Sequence, residues 1–157
     1  MAKPSAKKTN RFSLFFKARD RLVFAWRKWR TPLPLGLRGE RAAEKFLKRL
    51  GYKIVARQDR TPGGEMDLVA VDGRTIVFCE VKTRASHAGG HPAEAVDLDK
   101  QRRMTRWALG YLRRHGLLEF SSRFDVIAVT WPDGAKHPTI QHYKNAFPPV
   151  GSEGMFS

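Results

Sequence analysis

The chain is poor in cysteine, in acid and in long apolar runs. Its 157 residues hold one cysteine, Cys79. A single thiol makes no disulfide within the chain, which excludes a disulfide scaffold and favours a reducing compartment. No apolar run approaches the roughly 18 residues that span a bilayer. The N-terminus offers neither a clean apolar stretch nor a small-residue cleavage site, so a secretory signal is not expected and the cytoplasm is the default location. Glycine-rich phosphate loops are missing too: the pairs at 63–64 and 89–90 lack the lysine pattern of a P-loop. His87, His91, His137 and His142 are scattered without zinc spacing and read as surface residues. No Ser or Cys stands out beside a partner His as a nucleophile, and Cys79 reads as core.

Acid is scarce as well: 15 Asp and Glu face 30 Lys and Arg, a net charge of +15. That excess attracts polyanions, either nucleic acid or an anionic membrane surface. It is concentrated at the start. Residues 1–30 hold ten bases and one acid, Asp20. There Phe12, Phe15, Phe16, Leu22, Val23, Trp26 and Trp29 fall on one side of a helical wheel, interrupted by Arg19 and Arg30. The segment 11–30 thus reads as a basic amphipathic helix for anionic lipid or a protein partner, or as an extension beside the main domain. The prolines of TPLPLG, 31–36, mark a linker. Three regions are expected: a leader and linker over 1–34, one domain over 35–146, and a loose tail over 147–157.

Within the domain, GERAAEKFLKRLG reads as a helix with Ala43, Phe46, Leu47 and Leu50 inward. YKIVARQ, EMDLVAV and TIVFCEVK read as strands, the last two joined across the DG turn as a hairpin. A second helix is expected from about Ala93 to His115, with Met104, Trp107, Ala108, Tyr111 and Leu112 inward. RFDVIAVTW and the weaker TIQHYKNA close the list of strands. The order is helix, three strands, helix, two strands, which makes an α/β fold with one mixed sheet.

The chemistry lies in IVFCEVKTR, 76–84. Strand side chains alternate, so Ile76, Phe78, Glu80 and Lys82 share one face. Asp67, on the preceding strand, shares a face with Val69 and Val71. Charges on apolar strands are paired, exposed at a strand end, or bound to metal. An isolated Glu-x-Lys is most often a rim ion pair. With an Asp on the neighbouring strand, it also suits metal-dependent phosphodiester cleavage: two carboxylates hold Mg²⁺ or Mn²⁺, and the lysine orients water or meets developing charge. Glu40 lies at the edge of the first helix's apolar stripe, where it reaches a site on the sheet or serves the helix dipole. Lys100 falls on the buried side of the second helix, and reaches toward the carboxylates or snorkels. Arg60, Arg84, Lys100 and Arg103 are the bases expected to meet nucleic-acid phosphates.

RGERAAEKFLKRLGYKIVAR, GGEMDLVAVDGRTIVFCEVKTR, PAEAVDLDKQRRMTRWALGYL and RFDVIAV together resemble the bacterial YraN family. That family is similar in motif order to archaeal Holliday junction resolvases of the PD-(D/E)xK nuclease type. The resemblance covers about residues 36–131. It implies a restriction-endonuclease-like mixed sheet flanked by helices, with catalytic Glu40, Asp67, Glu80 and Lys82. Asp67 and Glu80 would be the ligands of Mg²⁺ or Mn²⁺, with the Val81 carbonyl beside them. Glu65, of the family's GExDL signature, is the second-choice acid. The resemblance also implies an endonuclease acting on DNA, branched or repair intermediates included, and a homodimer. Gln58 departs from the pattern, where Asn is usual, and the loop from Ser86 to His91 is longer. Two other readings stay open: a catalytically silent nucleic-acid-binding protein on this fold, and a membrane-surface accessory protein acting through the leader.

Overall fold

A computed structural model describes residues 33–61, 64–86 and 96–151. The chain divides into two compact units, 1–33 and 34–157. The amphipathic leader therefore lies outside the described residues, and the fold below is that of the second unit.

Helix α1 spans Leu35–Arg49, just after Pro34, which suits a helix start because proline lacks the N–H that the first turn cannot use. Gly51, with φ 91°, turns the chain out of it into β1, Lys53–Thr61. Strand β2 is Gly64–Asp72 and β3 is Thr75–Arg84. Gly73, with φ 61°, makes the tight turn between them, as the DG signal predicts. Helix α2 is Leu98–His115. It begins later than the expected Ala93, because Asp97 caps it: its carboxylate accepts the Lys100 N–H at 2.7 Å. Strands β4, Ser122–Thr130, and β5, Thr139–Phe147, complete the sheet.

The five strands lie in chain order. β1–β2, β2–β3 and β4–β5 are antiparallel, while β3 and β4 run parallel, joined through α2. This is the expected mixed sheet flanked by helices, consistent with a restriction-endonuclease-like fold. Each face carries its own core. On the α1 side Ala43 and Leu47 pack with Leu68, Ala70, Val77, Cys79, Ile127 and Val129. On the α2 side Met104, Trp107, Tyr111 and Leu112 pack with Met66, Val69, Phe78, Phe124 and Val126. Burial of apolar surface on both faces is the main stabilising term. Leu50, expected inward, is instead 52% exposed, since it lies past the last helical turn.

The stretch expected as a loose tail begins inside β5 with buried Phe147. Beyond it, the Val150 N–H donates to Thr105 Oγ1 of α2 at 3.1 Å. A second correction concerns His142. Its side chain is only 6% exposed, and its Nε2 lies 2.8 Å from Asp125 Oδ2. Asp125 is fully buried and also accepts from Arg123 Nε and the Asn145 N–H. Arg123 reaches on to Asp72 and Tyr52. A carboxylate in a core strand needs such partners, and β5 supplies a histidine for the purpose.

Candidate active site

The β2–β3 ladder stops at Leu68–Cys79. One step further on, the Asp67 carboxylate replaces a strand partner: its Oδ2 accepts the Val81 N–H at 2.7 Å. β3 then carries Glu80 and Lys82 past this opening. Phe78 belongs to the α2-side core, and Glu80, on the same face, meets Lys100 of α2. The shared face read from alternation is therefore present. Strict alternation fails on β2, however. Met66 and Val69, three apart, both join the α2-side core, so the strand slips phase across Asp67 and Leu68. There β2 has lost its β3 partner and is paired with β1 alone.

Glu80 is 4% exposed and lies between two ammonium groups. Lys82 Nζ is 2.8 Å from its Oε1, and Lys100 Nζ is 3.1 Å from its Oε2. The second contact lacks hydrogen-bond geometry, and Oε2 is buried without a hydrogen-bond partner. Asp67 is partly buried, and its carboxyl is pushed up to about 6. Burial is the main cause; the Glu80 and Glu40 charges add to it, while the Val81 N–H and Lys100 oppose it.

Glu40 joins the group from α1. Gly39 makes this approach close, because any Cβ there would overlap the Thr83 hydroxyl of β3. Glu40 Oε2 accepts from Gln58 Nε2 of β1 at 2.8 Å. The structure sets Asp67 beside the strand that carries Glu80 and Lys82, with Lys100 as a second partner of Glu80, while Glu40 approaches from the opposite face of the sheet and bears on Asp67 through its charge. Alternation counted from Tyr52 and Ile54 of the α1-side core places Gln58 on that side; a bulge between Ile54 and Ala56 reverses the phase, and the bend at Gln58 restores it. The other expected phosphate contacts are spread around this core. Arg60 is exposed and paired with Glu65 across β1–β2 at 3.0 Å. Glu65, the second-choice acid, is thereby engaged. Arg103 and Lys100 line a cleft of about 260 Å³ with Gly64, Glu65 and Met104. Arg84 ends β3, two residues past Lys82. His87 and His91 lie outside the described residues.

The metal question can be asked of these side chains. Among the described residues, no three His, Cys, Asp or Glu side chains gather as a cage. Mg²⁺ does not require one: it is commonly held by one or two carboxylates, with water and substrate phosphate completing the shell. Glu80 Oε2, buried without a hydrogen-bond partner, and Asp67, whose charged form burial disfavours, fit that arrangement.

Comparison with known proteins adds the lineage. The profile of the uncharacterised protein family UPF0102 matches residues 39–129. The chain belongs to the UPF0102 family. It is similar to a UPF0102 protein of Rhodopirellula baltica, 46% identical over 78% of this chain and 75% of that protein. A UPF0102 protein of Geobacter sulfurreducens is 50% identical over 72% of this chain and 88% of its own length. One of Renibacterium salmoninarum is 43% identical over 73% and 97%. For the UPF0102 chain the matched span runs from α1 to β4 and includes every acid of the site. Among its described residues, no helix is long and apolar enough to cross a membrane.

Proposed function

We propose that this UPF0102 protein is a divalent-metal-dependent endonuclease acting on DNA, branched or repair intermediates included. The observation that supports it best is the opening of the β2–β3 ladder, where Asp67 and Glu80 stand together with Lys82 beside them. Asp67 and Glu80 would hold Mg²⁺ or Mn²⁺. The cation, when bound, supplies a charge that acidifies water and balances the phosphate. Lys82 lies at the mouth of the site, able to donate to the attacking water or to a non-bridging phosphate oxygen. Glu40 accepts a proton or positions water from the α1 side. The reaction adds water to phosphorus and breaks one P–O ester bond, and the departing sugar oxygen takes a proton. Rigid strands fix three of the four groups, which favours precise placement.

Basic residues around the site suit a polyanionic substrate. Arg103 and Lys100 border the cleft, and exposed Arg102 and Arg106 continue along α2. A second reading has one specific observation in its favour. Two lysines already neutralise Glu80, which would serve a nucleic-acid-binding protein without catalysis.

The deciding experiment incubates the full chain with labelled linear, single-stranded and four-way-junction DNA, with Mg²⁺, Mn²⁺ or chelator. Asp67→Asn, Glu80→Gln and Lys82→Ala run in parallel. Metal-dependent cutting that disappears in the variants is expected. Binding without cutting on every substrate overturns the nuclease reading in favour of the silent binder.

A further inference from the structure

Gln58 is one of two non-glycine residues with positive φ among the described residues, at 44°. The other, Asn145, is a residue type that tolerates this region. Glutamine in the middle of a strand has no such tolerance. Strain of this kind persists where the surroundings demand it, and it clusters at functional sites.

What the bend does can be read from its neighbours. Ala56 packs on the α2-side core. Arg57, next along, reaches α1 and holds Glu44 through two hydrogen bonds of 2.8 and 2.7 Å. Alternation would return Gln58 to the α2 side, yet its amide binds Glu40 of α1. The exposure of β1 shows the same slip, because Arg57 and Gln58 are both exposed within an otherwise alternating strand. Two consecutive residues therefore grip Glu40 and Glu44, one helical turn apart. The register then locates the partner: between the pairs Arg57–Leu68 and Asp59–Met66, Gln58 stands opposite Asp67. The phase slip of β2 falls at that same rung.

The geometry points to Gln58 as the positioning residue of the acidic site. Its left-handed bend turns Asp67 toward Val81, and its amide pins Glu40. This rests on the proposed metal site only for its consequence, since the placement of Asp67 can be observed without metal.

Two readouts on the full chain test it. The first is the Val81 amide resonance in an isotope-labelled sample without metal, which reports the bond to Asp67; Asp67→Ala marks its position when that bond is lost. The second is Mn²⁺ affinity by electron paramagnetic resonance. Gln58→Gly keeps the bend and loses the amide, so Val81 should stay in place. Gln58→Val, and the milder Gln58→Ala, oppose the bend, so Val81 should move toward its position in Asp67→Ala. Loss of an outer partner of this kind weakens metal binding by about 10- to 100-fold. That loss is expected for Val, with a smaller one for Gly. A folded Gln58→Ala or Gln58→Val protein with Val81 unmoved overturns the inference, whatever its thermal stability. A Val81 shift in a protein whose wild type binds no Mn²⁺ upholds the positioning role and overturns the metal site instead.

Discussion

Gly39 of α1 lies directly against Thr83 of β3, with no room between them for a methyl group. That contact sets how deeply the helix start, and Glu40 with it, approaches the strand carrying Glu80 and Lys82. Gly39→Ala should cost about 1–3 kcal/mol, the usual range for overpacking a tight contact. Thermal unfolding measures it. Combining Gly39→Ala with Thr83→Gly, which removes the facing Cβ as well as the hydroxyl, should recover part of the loss, and an additive double variant would show that the two residues do not touch.

Metal should stabilise the fold if Asp67 and Glu80 hold it. At about 100 times its dissociation constant, a cation that binds only the folded state adds about 2.7 kcal/mol. For a chain of this size that is a rise in Tm of about 5–10 °C. Asp67→Asn should abolish the rise. Without metal the same variant should be at least as stable as wild type, because burial and the Glu80 charge both work against the Asp67 carboxylate. Thermal scans with Mn²⁺ and with chelator check both statements.

The buried network around Asp125 should be costly to break. Asp125→Ala leaves Arg123 and His142 without their shared acceptor. Removing one partner of a buried ion pair destabilises by about 3–5 kcal/mol. Urea unfolding of Asp125→Ala beside wild type gives the number; a cost under about 1 kcal/mol would place the network at a solvated edge.

Acid should weaken the fold through two carboxyls. Hydrogen bonds from Arg57, and then Lys48, hold Glu44 down at about 2, against its ordinary 4.5. Burial raises Asp125, but bonds from His142, Arg123 and the Asn145 N–H outweigh it and leave the group below its ordinary 3.8. Between the folded and unfolded values the unfolded chain binds more protons, so stability rises with pH there. The Glu44 contribution is complete above about pH 4.5 and fades as pH falls toward 2. Denaturation midpoints of wild type and Glu44→Gln from pH 7 to 2.5 should show this decline in their difference, because protonation of Asp67, raised to about 6, stabilises both proteins as acid is first added.

Phosphate contacts predict a salt signature. If Arg103 meets the substrate backbone, Arg103→Ala should reduce the slope of log affinity against log salt by about 1. Arg49, at the far end of α1 from Glu40, should leave the slope unchanged when replaced by Ala. Binding titrations at several salt concentrations distinguish the two.

Much of this was legible in the residues. Apolar alternation with turn signals located the strands, and Glu80-x-Lys82 on an apolar strand pointed to the buried charge cluster. What the sequence concealed follows from the failure of alternation itself. The period-2 rule assumes an unbroken ladder, and it gives no warning that Gln58 and Asp67 break it together. His142 was misread because β5 alternates weakly, although the buried Asp125 in RFDVIAV already required a partner. The start of α2 was missed because a capping Asp97 looks like one more loop acid.

The parallel pairing of β3 with β4 has a consequence for assembly. From Glu40 to Lys82 the chain folds back on its immediate neighbours, closing short loops at small entropic cost. Pairing β4 to β3 must wait for the long crossing through α2, and such distant pairings come late. The topology predicts that the acids gather first, on a hairpin meander open along one flank. Lys100 and the strand that finishes enclosing Glu80 arrive afterwards. On a ribosome Glu40, Asp67 and Glu80 emerge before Lys100, which favours the same order.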